Sequence, residues 1–129
     1  MWKEMLTNQK GFSLIEIIAV LIILGILMAV AMPKFFDLQK IAKDKTIAAV
    51  LAEGVGRIHM HFGKEVIGGN TPGQILYNNA TLGTDAGDFS LSYTSTGGTA
   101  DITVTATGKP GTSLPGQTKS RTVKRPGTD

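Results

Sequence analysis

Glu16 is the only charged residue between Phe12 and Met32, a run of 21 residues whose last sixteen, Ile17–Met32 "IIAVLIILGILMAVAM", carry no polar side chain. An ionised carboxylate inside an apolar span is costly, and such groups are usually paired and functional. Glu16 either rests in the headgroup layer at the end of the span or pairs with a cation brought to it. Elsewhere, His59 and His61 are two residues apart, which on a helix points them nearly opposite ways, so they are poorly placed to chelate one metal. Asp85 and Asp88 in "GTDAGD" are candidate calcium oxygens, though the stretch lacks an EF-hand pattern and reads equally as an Asp/Gly turn. No nucleophile–base pairing, phosphate loop or metal cluster is visible, and the chain does not read as an enzyme; no cofactor is expected.

Composition narrows the frame. The chain has 129 residues, no cysteine and a net charge of +3, which is too mild to argue for nucleic acid. A run of about 20 apolar residues is what a helix needs to cross a bilayer. Everything after Pro33 is Gly- and Thr-rich, so any head has a small core. Two processing readings compete. A secretory signal cut at "AVA", after Ala31, releases a soluble binding domain. A cut at Gly11–Phe12 keeps the apolar segment.

The residues "KGFSLIEIIAVLIILGILMAVAMPKF" resemble the class III signal and N-terminal helix of type IV pilins and type II secretion pseudopilins. The resemblance rests on Gly11, Phe12, Ser13, Glu16, Gly25 and Pro33. It implies that prepilin peptidase removes a leader, residues 1–11, and N-methylates Phe12. The new amine would lie one helical turn from Glu16, so that Glu16 serves assembly by pairing with an amine of its own or a neighbouring subunit. Gly25 and Pro33 mark where such helices loosen on assembly, and a proline leaves the carbonyl of Ala29 without its partner; a kink is expected near 29–33 in the free subunit. The implied partners are further copies in a helical filament, the peptidase, an assembly platform and the inner membrane. The implied location is a single-pass inner-membrane precursor, then an extracellular filament or periplasmic pseudopilus. Lys3 and Lys10 precede the span while Lys34, Lys40, Lys43 and Lys45 follow it, so a charge count alone would put the C-terminal side in the cytoplasm; the resemblance implies the opposite.

The elements needed to carry this site follow from periodicity. Residues 12–33 form the assembly helix, and 34–62 continue it as an amphipathic helix into a globular head. Its stripe is expected at Phe35, Leu38, Ile41, Ala42, Ala48, Ala49, Ala52, Val55, Ile58, His59 and Phe62, with Gly63 as the stop. Glycine- and asparagine-rich residues 63–87 read as a connecting loop. Residues 88–129 read as a small antiparallel sheet and tail. "DFSLSYTS" and "ADITVTAT" alternate as a hairpin, and a weaker strand runs through "SRTVKR". The predicted fold is α+β, a long helix packed on a small antiparallel sheet, closest in layout to mannose-sensitive haemagglutinin-type pilins. That resemblance implies a disulfide brace that a chain without cysteine cannot make. The basic tail, with Lys119, Arg121, Lys124 and Arg125, reads as a solvated edge rather than a nucleic-acid site. "NAT", Asn79–Thr81, matches a glycosylation sequon.

Overall fold

The computed structural model describes residues 11–128. These fall into two units, one up to Lys40 and the other from Ile41 on. In the first, helix α1 (Leu14–Ile67) begins, with Ser13 just before it, and passes unbroken through Gly25 and Pro33. From Phe12 to Ile41 its large apolar side chains are all exposed in the single chain. One helix is thus long and apolar enough to cross a membrane.

In the second unit the rest of α1 packs on a four-stranded antiparallel sheet ordered β1-β2-β3-β4, comprising β1 (Asp85–Ala86), β2 (Phe89–Ser95), β3 (Ile102–Gly108) and β4 (Thr118–Val123). The α+β expectation holds. Strand alternation decides the sheet's two faces. Phe89, Leu91 and Tyr93 of β2 and Ile102, Val104 and Ala106 of β3 point into the core. Ile47, Leu51 and Ile58 meet them from α1, while Ile75, Tyr77, Leu82 and Leu114 close the ends. On β2, β3 and β4 the opposite face carries only hydroxyls, and Thr103–Thr122 and Thr105–Ser120 bond across β3 and β4 at 3.0 and 2.8 Å.

Three expectations change. Of the expected stripe, Ile58 is buried and Val55 and Phe62 pack partly on the core, but the fully packed face is Ile47, Leu51, Gly54 and Ile58, while Ala48, Ala49 and Ala52 are exposed. Its i, i+4, i+7, i+11 spacing is one helical face; the alanines belong to other faces. Secondly, α1 does not stop at Gly63. It ends where Asn70 N donates to Glu65 O (3.0 Å) and Gly69 N to Val66 O (3.0 Å), with Gly69 at φ +92°. That is a Schellman stop, which needs a residue tolerant of the left-handed region. Thirdly, 63–87 is more than a loop. It holds the last turn of α1, a 3-10 turn Pro72–Gln74, the short helix α2 (Asn79–Leu82) and β1. In α2, Asn78 Oδ1 accepts from Thr81 N at 2.9 Å, an N-cap.

Candidate functional site

The chemistry-bearing residues of the N-terminal segment sit at the start of α1. Ser13 N donates to Glu16 Oε2 at 2.8 Å, and Ser13 Oγ donates to the same oxygen at 3.0 Å. Glu16 N returns a contact to Ser13 Oγ at 3.4 Å. With Ser13 as N-cap and Glu16 three residues on, this is a capping box, which satisfies the donors a helix start leaves open. The S-x-x-E spacing is legible in the sequence and adds a third role for Glu16 beside the headgroup and ion-pair readings. With residue 11 attached, Phe12 has a neutral amide nitrogen, so the serine is the partner open to this carboxylate. Phe12 is 85% exposed, and nothing among the described residues lies within 4 Å of where a side chain on Gly11 would begin. Gly25 and Pro33 lie inside continuous helix.

The head holds the other candidates, and most are occupied by structural work. Asp85 Oδ1 receives Lys109 Nζ at 2.5 Å, and the ammonium also donates to Gly87 O at 2.7 Å. Lys109 holds the Asp85 carboxyl below its ordinary range. Asp88 contributes its backbone carbonyl to Lys109 N at 2.9 Å. The turn is thus closed by a lysine where a calcium ion would need free carboxylates, and no three-residue His/Asp/Glu cluster exists among the described residues. His59 is exposed and His61 half-buried, the reverse of the core-edge role the stripe assigned to His59; His61 Nε2 lies 3.2 Å from Leu76 O and packs edge-on to Tyr77. In the sequon, Asn79 Oδ1 accepts from Tyr93 N at 2.8 Å, so this side chain pins α2 to β2. Arg57 bonds Glu53 at 2.5 Å and the carbonyls of Gly83 and Asp85 at 3.1 and 2.6 Å, tying α1 to β1.

Sequence reasoning missed Arg125. Placed in the solvated tail, it is in fact 4% exposed. Its guanidinium donates to the carbonyls of Gly97 (3.0 Å), Pro72 (3.5 Å) and Ile75 and to Ser95 Oγ (3.4 Å), and it lies 4.8 Å over the Tyr77 ring. One side chain thereby joins the tail, the 72–77 segment and the β2–β3 turn. Nothing in "KSRTVKRPG" distinguishes it from its exposed neighbours. A planar fork with five donors suits several carbonyls at once.

Comparison with known proteins bears on the N-terminal segment. Residues 6–32 match the prokaryotic N-terminal methylation motif. A stretch of 45 residues is 44% identical to the type IV narrow pilus major component PilA5 of Thermus thermophilus, covering 35% of this chain and 39% of that protein. The match thus spans about two-fifths of the relative's length. No solved structure matches the chain significantly.

Proposed function

We propose, on the premise that the chain belongs by its N-terminal segment to the type IV pilin family, that it is a structural subunit of a type IV pilus-like filament. The observation that carries this reading is the conjunction at the start of α1. A methylation motif over residues 6–32 leads into an apolar helix, exposed on every side, that contains one carboxylate. A bilayer covers such a helix in the precursor, and copies of the same helix cover it in a filament. Prepilin peptidase cutting at Gly11–Phe12 creates a cation at Phe12. The Ser13–Glu16 contact then meets a competitor of opposite charge, and a neighbour's amine can take the carboxylate. An ion pair in a dry bundle fixes register, because a slip leaves both charges unpaired at high cost. The pilus component named above supports the filament reading, with a secretion pseudopilus as the alternative.

Two measurements test this. Intact-mass analysis should find a chain starting at N-methylated Phe12, and Gly11→Val should abolish that product because a branched side chain replaces hydrogen at the cut. A chain starting at Met32 would end the pilin reading. Electron microscopy of sheared cells should show thin fibres containing the chain. Glu16→Val should remain membrane-inserted while fibre yield drops to a small fraction of wild type; an undiminished yield would show that the carboxylate only caps its own helix.

A further inference from the structure

The sheet has one long open edge. In the order β1-β2-β3-β4 the outer strands are β1, only two residues long, and β4, six residues long and exposed from Thr118 to Thr122. Its register with β3 is uninterrupted, Ile102↔Val123 through Thr107↔Thr118, so it contains neither bulge nor proline. Those are two of the devices that normally blunt an edge. Gly108 N donates to Gln117 O at 2.9 Å. In an antiparallel ladder, pairs two residues on share that pattern. The backbone groups of Lys119, Arg121 and Val123 therefore turn toward β3, and those of Thr118, Ser120 and Thr122 turn outward. The hydroxyls of these three residues contact Thr107, Ser120's partner Thr105, and Thr103, so they lean inward and leave the edge clear.

Lys119 and Arg121 stand beside those open groups, on the other face. Their cross-strand neighbours are Ala106 and Val104, and neither joins an ion pair among the described residues. A strand added outside β4 would place two alternate residues directly opposite them, at the closer type of cross-strand pair. Carboxylates at those positions complete both the charge and the hydrogen bonding. We propose that β4 is a docking edge for an extended peptide carrying acidic residues at alternate positions. No two acids in these 129 residues are two apart, so the strand comes from a different protein, not from a second copy. Strand addition of this kind draws affinity from the main chain and selectivity from alternate side chains.

The test uses the full chain in detergent micelles and a synthetic Thr-Glu-Thr-Glu-Thr-Glu-Thr peptide with blocked ends. Binding should shift and protect the amides of Thr118, Ser120 and Thr122. The double change Lys119→Glu with Arg121→Glu should weaken binding by roughly tenfold or more and favour the equivalent lysine peptide. Ser120→Pro removes an outward N–H, so the β3–β4 ladder survives, shown by unchanged amide signals of β3, while binding is lost. Absence of protection at the three amides overturns the proposal. So does oligothymidylate or polyphosphate binding as tightly as the peptide and insensitive to Ser120→Pro, since that describes only a basic patch.

Discussion

Arg125→Met should lower the melting temperature of the head by about ten degrees or more, and expose residues 68–78 to proteolysis while the β2–β3 hairpin persists. The guanidinium serves three carbonyls and Ser95 Oγ, and its removal leaves buried acceptors that cost about 1–3 kcal/mol each when water cannot reach them. Partial entry of water limits the sum to about 3 kcal/mol, with loss of the contact over Tyr77 included. For a domain of this size each kcal/mol moves the midpoint by about 4–8 °C. Arg125→Lys should lose most of this too, since an ammonium on a flexible stem cannot fork to Gly97 and Ile75 together. Melting of the methionine variant within about two degrees of wild type would show that the tail is merely laid on the surface. The position matters because the chain has no cysteine. Where the resemblance to related pilins implied a disulfide brace, a buried guanidinium ties the C-terminal tail to the sheet's turn.

That brace explains what was and was not readable beforehand. The β2–β3 hairpin was legible because its apolar residues alternate with a period of two, a signal no other backbone produces. The N-terminal segment was legible because one carboxylate in 21 residues has few physical explanations. By contrast, Arg125 differs from Arg121 and Lys124 only in what folds over it, and composition carries no trace of that. The α1 stripe held at Val55, Ile58 and Phe62 and failed at its alanines, for a different reason. Alanines at 48, 49 and 52 are helix formers that suit any face, whereas the sheet selects the branched chains of Ile47, Leu51 and Ile58. Two further signals are local. Gly68–Gly69–Asn70 spells the helix stop in place of Gly63, and Ser13 with Glu16 spells the cap. Strand β1, at two residues, is too short to have a period at all.

Three glycines make the last prediction, because each meets a different environment and the signs differ. A Cβ on Gly108 would lie 1.7 Å from the carbonyl oxygen of Leu114, and backbone cannot yield as a side chain can. Gly108→Ala must lift residues 109–117 away. That sacrifices the Gly108 N–Gln117 O bond (2.9 Å), the Gly116 N–Gly108 O bond (3.1 Å) and the burial of Leu114. The expected loss is about 3 kcal/mol, from two hydrogen bonds at about 1 kcal/mol each and part of a leucine's burial. At Gly54 the new carbon would meet Val104 Cγ1 at 2.7 Å and Leu91 Cδ2 at 3.4 Å. Both are fully buried side chains that can shift at a cost of about 1–3 kcal/mol, offset by about 1 kcal/mol of better helix propensity. Gly54→Ala should therefore lose about 1 kcal/mol. Gly56 has nothing within 4 Å, so in the isolated chain alanine there gains up to about 1 kcal/mol. Melts of the three variants in detergent micelles should rank Gly108→Ala lowest, then Gly54→Ala, then wild type, with Gly56→Ala above it. A Gly54→Ala protein more stable than wild type would mean that α1 stands off the sheet at this point, and a wild-type melt for Gly108→Ala would mean that Leu114 does not close the end of the core.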